Sequence, residues 1–145
     1  MNNKIKLLAL DIDGTLMGTD FVLQKPVIES IKKVQDNTDI IVLLASGRMT
    51  YSTLPIARQL GIIEPVIVYQ GAMVNDFNNN KILFHQTVDP EYAIEIIDDL
   101  DKEGLHTNVY INDQLYMKKI SEIAKTYSSY RYIEPNIVSD FILPV

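Results

Sequence analysis

The 145-residue chain is 47% hydrophobic and 22% charged, with a formal net charge of −6, the composition of a globular domain long enough to bury a core and not of a disordered chain. The acidic balance argues against non-specific nucleic-acid binding, which needs a basic face. The absence of cysteine excludes a disulfide framework, a thiol nucleophile and a thiolate metal site, and suits the cytosol.

The N-terminal apolar run is too short for a signal peptide, and no stretch approaches the roughly 18 apolar residues of a membrane helix. A cytoplasmic protein without membrane or nucleic-acid partners is expected. Ile5–Leu10 is a nearly continuous apolar run that stops at Asp11, as a central strand covered on both faces would. Pro26 then opens a helix, with Val27, Ile28, Ile31 and Val34 at helical spacing. Asp39–Leu44 reads as a second buried strand ending in ASGR. Thr50 or Ser52 is a candidate cap for a helix that runs to Gln59 and Leu60 and stops at Gly61. Pro65–Tyr69 is a third short strand, ending at Gln70 and Gly71.

Apolar strands alternating with helices predict βαβ units, a parallel sheet and hence an α/β, Rossmann-like core. Ligands of such sheets bind beyond the carboxyl ends of the strands, where Asp11 and Asp13, Ser46 and Arg48, and Gln70 and Gly71 all fall. After Ala72 a hairpin around Asn78–Asn80 is expected. A helix starting at Asp89 and Pro90 and ending at Gly104 follows, with Ala93, Ile94, Ile96, Ile97 and Leu100 apolar. Two strands around Asn112 and Asp113 come next, then a helix over 119–128. The acidic residues Asp98, Asp99, Asp101 and Glu103 read as a solvated helix face. His85 and His106 read as structural or surface residues. Tyr110, Tyr116, Tyr127, Tyr130 and Tyr132 read as packing within the second unit. The change in character divides the chain into an α/β portion, 1–84, and an α+β portion, 85–145. Three strands would leave an apolar sheet edge bare, and the chain closes on apolar SDFILPV. It is therefore expected to be the N-terminal part of a longer protein.

Carboxylates at a strand end are suited to holding Mg²⁺, to nucleophilic attack on phosphorus and to proton transfer. Asp11–Leu16, DIDGTL, resembles the first signature, DxDGT, of haloacid dehalogenase-type phosphatases. Leu43–Arg48, LLASGR, is similar to their second signature, a strand ending in Ser or Thr. With YQGA at Tyr69–Ala72 and LHTNVYINDQLY at Leu105–Tyr116, the pattern resembles the Cof-type, or IIB, branch, whose cap domain lies between the second and third signatures.

The resemblance implies a Mg²⁺-dependent phosphomonoesterase acting on small phosphorylated metabolites such as sugar phosphates. Asp11 would be nucleophile and metal ligand. Asp13 would be general acid and then base, with its carbonyl on the metal. Gly14 and Thr15 would shape the phosphate loop, Ser46 would bond a phosphoryl oxygen, and Gly47 would let the backbone approach. Arg48 would orient the loop or touch substrate. Gln70 and Gly71 would contact substrate or loop, Gln70 standing where the branch has Asn, and both equally fit plain turn chemistry. The family's third-signature Lys and fourth-signature acidic pair would lie beyond residue 145, so the 85–145 cap is expected to be incomplete and the chain alone to be catalytically deficient. Two other readings stay open. One is a non-catalytic fragment or pseudoenzyme that binds only Mg²⁺ or a partner. The other is a receiver-like phospho-acceptor module, against which the Tyr69–Gln70 end of the third strand counts. Oligomeric state is unassigned.

Overall fold

The apolar run before Asp11 forms β1 (Leu7–Leu10), and it pairs in parallel with β2 (Ile41–Leu44), Leu7 opposite Ile41 and Leu10 opposite Leu44. The computed structural model describes residues 5–122, 124–125 and 133–141. They fall into two units, Met1–Gln86 and Thr87–Val145. In the first, α1 (Lys25–Asn37) begins with Pro26 in its first turn, where a missing N–H costs nothing. Its Val27, Ile28, Ile31 and Val34 face a core that also contains Val42 and Leu44 of β2.

Because side chains alternate along a strand, Leu8 and Leu10 join that core and Leu7 points the other way. Leu7 is 51% exposed and Ile41 46%. The expectation of a central strand covered on both faces is therefore corrected. Among the described residues β1 pairs only with β2, and only one face of the pair meets the core.

The second helix, α2 (Thr50–Gln59), also departs from expectation at its start. Neither Thr50 nor Ser52 caps it. Met49 holds the cap position with extended backbone and no side-chain bond. The Ser52 and Thr53 hydroxyls instead donate back to the Met49 carbonyl at 3.1 and 3.0 Å. Gly61, at φ +67°, supplies the left-handed stop. β3 (Val66–Val68) is joined to the end of β2 by a parallel bridge between Ala45 and Ile67. It continues an antiparallel sheet with β4 (Met73–Asp76) and β5 (Lys81–His85), the hairpin expected around the Asn-rich turn.

In the second unit α3 (Pro90–Lys102) is capped by Asp89, whose Oδ1 accepts the Glu91 N–H at 3.0 Å. β6 (Val109–Ile111) and β7 (Gln114–Met117) are antiparallel. Asn112 and Asp113 both have positive φ, as a two-residue primed turn requires. β8 (Asn136–Ile137), parallel to β7, was not signalled by the sequence. Ile97, Leu115, Met117, Ala124 and Ile133 are buried.

Asp98, Asp99 and Glu103 are exposed as expected, while Asp101 pairs with Lys118. His85 is exposed, and His106 Nε2 lies 2.9 Å from Asn108 Oδ1. The helix expected over 119–128 lies largely outside the described residues, although Glu122, Ala124 and Lys125 are helical. Tyr127, Tyr130 and Tyr132 also lie outside them. No helix among the described residues is long and apolar enough to cross a membrane.

Candidate active site

Asp11 follows the last residue of β1 and is exposed. Its carboxylate has no hydrogen-bond or ion-pair partner among the described residues. Ile12 is fully buried, so the two aspartates on either side of it are both turned away from the core. Ile12 also anchors the following turn. Its carbonyl accepts the N–H groups of Leu16 and Met17, each at 3.0 Å, and the Gly14 N–H reaches the Met17 carbonyl at 2.8 Å. Gly14 sits at φ +80°, a conformation costly for a side-chain-bearing residue. The exposed Thr15 completes the turn through its backbone N–H, 3.4 Å from the Ile12 carbonyl.

The end of β2 is fixed against both neighbouring strands. Ala45 N–H donates to Leu10 O and Ser46 N–H to Ile67 O, each at 2.9 Å. Ser46 is buried, and its Oγ accepts the Arg48 N–H at 3.2 Å. A hydroxyl that accepts in this way keeps its own proton for donation. Gly47 is exposed. A Cβ there would collide with the Gln70 carboxamide nitrogen and lie 2.8 Å from its Cδ.

Arg48 departs most from a simple strand-end loop. Its side chain is 2% exposed, and it forms a two-pronged ion pair with Asp13. Nε donates to Oδ2 at 2.9 Å and Nη2 to Oδ1 at 2.6 Å. Such paired, charge-assisted bonds fix orientation as well as supplying energy. Asp13 itself is 30% exposed, so one side of its carboxylate remains accessible. Of the two roles expected for Arg48, orienting the loop matches this geometry. The guanidinium that the other role would bring to substrate is buried and bonded to Asp13.

The third strand end closes the cluster. Tyr69 N–H donates to the Arg48 carbonyl at 2.9 Å. Tyr69, Gln70 and Gly71 all have positive φ, at 53°, 58° and 95°. Two successive non-glycine residues in that region are strained, as residues at functional loops often are. Sequence reading placed Gln70 and Gly71 at this loop. It placed Tyr69 at the same strand end but gave it no role of its own, because an aromatic closing an apolar run gives no signal.

Asp11, Asp13, Ser46 and Gly47 thus stand at the ends of two adjacent strands, with Gln70 against Gly47 from a third. Asp11 and Asp13 offer hard oxygen donors, of the kind by which Mg²⁺ is held through one or two carboxylates, waters and substrate phosphate. The residues fit that ion. Among the described residues no group of three or more His, Cys, Asp or Glu comes together as a fuller ligand set.

Residues 8–143 match a family described as haloacid dehalogenase-like hydrolase. Phosphatase YwpJ of Bacillus subtilis is 28% identical over 112 residues, which span 77% of this chain and 39% of that protein. The 5-amino-6-(5-phospho-D-ribitylamino)uracil phosphatase YwtE of the same organism is 29% identical over 77% of this chain and 37% of its own. A crystal structure of a haloacid dehalogenase-like hydrolase from Bacteroides thetaiotaomicron superposes with a TM-score of 0.83 at 20% identity, covering 95% of this chain and 53% of that one. The chain therefore spans about half, or less, of the length of the proteins it matches.

Proposed function

The chain belongs to the haloacid dehalogenase-like hydrolase family, and on that premise we propose that it carries the nucleophile and proton-transfer groups of a Mg²⁺-dependent phosphomonoesterase. The substrates are small phosphorylated metabolites such as sugar phosphates, in the manner of the Cof-type branch. The observation that carries this reading is the placement of Asp11. It is exposed and unpartnered at the carboxyl end of a parallel strand, two residues from a second carboxylate held by a buried arginine.

An Asp11 oxygen attacks phosphorus, and the bond from phosphorus to the ester oxygen breaks. Asp13, which enters the step protonated from solvent, gives that proton to the departing alkoxide, leaving an aspartyl-phosphate. Asp13, now a carboxylate, takes a proton from water as the water oxygen attacks phosphorus. The bond to Asp11 then breaks, inorganic phosphate leaves, and both carboxyl groups return to their starting states. Ser46 donates a hydrogen bond from its hydroxyl to a phosphoryl oxygen.

The only cation described at this site, Arg48, is spent on Asp13, so a phosphate dianion approaches a locally negative surface. Mg²⁺ held by the Asp11 carboxylate and by Asp13 supplies the missing positive charge when bound. The third-signature Lys and the later acidic pair of the family, supplied from outside residues 1–145, would add to it. Hydrolysis of an aryl phosphate by protein carrying this chain tests the reading. Turnover is expected to require Mg²⁺ and to fall by about a thousandfold or more in Asp11→Asn, as loss of a covalent nucleophile does. Full activity in Asp11→Asn would overturn it.

A further inference from the structure

Arg48 touches all three strand-end segments. Its side chain grips Asp13 after β1, its N–H binds Ser46 Oγ after β2, and its carbonyl accepts the N–H of Tyr69 after β3. Of these bonds, only the one to Asp13 uses the charge. A carboxylate has about four lone-pair sites. The guanidinium fork takes one on each oxygen and fixes the plane of the carboxylate.

We infer that Arg48 is the positioning residue for Asp13: its buried fork sets the carboxylate's direction, and Arg48 makes no contact with the phosphate. This rests on the phosphatase reading, within which it separates the arginine from the substrate-binding set. A lysine cannot replace it, because an ammonium is a point charge without the planar fork. The chemistry depends on this constraint, since an error of about 1 Å in a reacting group can cost a hundredfold in rate.

The test uses the isotopically labelled 145-residue chain at fixed pH, with Arg48→Lys, Arg48→Gln and Asp13→Asn. In both Arg48 variants the Asp13 carboxyl carbon signal is expected to move and broaden, with lysine no better than glutamine. Binding of inorganic phosphate with Mg²⁺, read at the Ser46 and Gly47 amides, is expected to change by less than about threefold, because no phosphate contact is lost. In the aryl phosphate assay, run on protein that carries this chain together with the family's later groups, the same substitutions are expected to lower kcat by about a hundredfold and leave KM nearly unchanged.

An unchanged Asp13 signal would overturn the inference. So would phosphate binding weakened by about tenfold or more, as loss of a charge-assisted contact produces. Should the Arg48 variants not fold, Asp13→Asn decides from the other side. The Arg48 Nε–H signal must then lose its protection from exchange, and a signal that stays protected overturns the inference. Absence of phosphate binding and turnover in protein that carries this chain together with the family's later groups would count against the phosphatase reading alone, because the Asp13 and Arg48 signals are read without either.

Discussion

Gly47 and Gln70 meet where two strand ends converge, and the contact sets a limit on residue 47 that backbone strain does not. Gly47 is not among the residues of positive φ. What excludes a larger residue is the Gln70 carboxamide lying where a Cβ would be. Gly47→Ala should therefore cost about 1 kcal/mol, a mild overpacking penalty, because the obstacle is the flexible end of a side chain. Gln70→Ala alone should change stability by less than about 0.5 kcal/mol, as exposed substitutions usually do. The double variant should recover most of the alanine cost, a non-additivity that urea unfolding of the four chains would measure. Strict additivity would mean that something other than Gln70 restricts the position. At this scale the placement of Asp11, Asp13 and Ser46 just beyond strand ends was legible, because an apolar run that gives way to a carboxylate or hydroxyl marks where a buried strand stops. The destination of Arg48 was not. Its partner lies 35 residues earlier, and nothing in ASGR distinguishes a buried fork from a substrate contact. The carboxamide over Gly47 was hidden for the same reason, since it is a contact between loops and not a property of either.

The elements were read best where a local device fixes them. Asp89 followed by Pro90 predicts a helix start, and the Asp89 side chain does accept the Glu91 N–H. Asp89→Ala should cost about 1 kcal/mol, and Asp89→Ser much less, because serine is as good a cap; thermal unfolding of the two variants distinguishes them. The start of α2 was misjudged because Ser and Thr hydroxyls can also bond backward to a carbonyl, as Ser52 and Thr53 do. β8 left no trace because a two-residue strand owes its existence to its partner and not to its own pattern.

The union of α3 with β7 and the 140 region shows what side chains add to such elements. Lys118 binds both Asp101 and Asp140. The bond to Asp101, then that to Asp140, raises the Lys118 pKa above its ordinary 10.5. The bond from Lys118 holds Asp140 below its ordinary 3.8. A lowered carboxyl value stabilises above about pH 4 and loses that effect as pH falls further. A raised ammonium value stabilises below about pH 10 and loses it as pH rises further. The stability difference between this chain and Lys118→Met should therefore be flat between those limits and shrink outside both. A difference that varied across neutral pH would assign the effect to another group.

Taken whole, the chain's composition identified a globular acidic protein but could not say which apolar residues face outward. Ile5–Leu10 reads as the same apolar run whether one face of β1 is covered or two. The structure places Leu7 and Ile41 opposite each other across β1 and β2, both about half exposed. Among the described residues no strand pairs with the other edge of β1, which lies beside this apolar surface, and such an edge is a template for pairing with another chain. That combination predicts association at high concentration. Replacing both residues with threonine keeps strand propensity and lowers surface hydrophobicity. The double variant should stay monomeric to higher concentration by light scattering. Its unfolding free energy should change by less than about 1 kcal/mol, because each side chain is already half in water. A much larger loss of stability would mean that this face is covered in solution, and the surface available for association would then lie elsewhere.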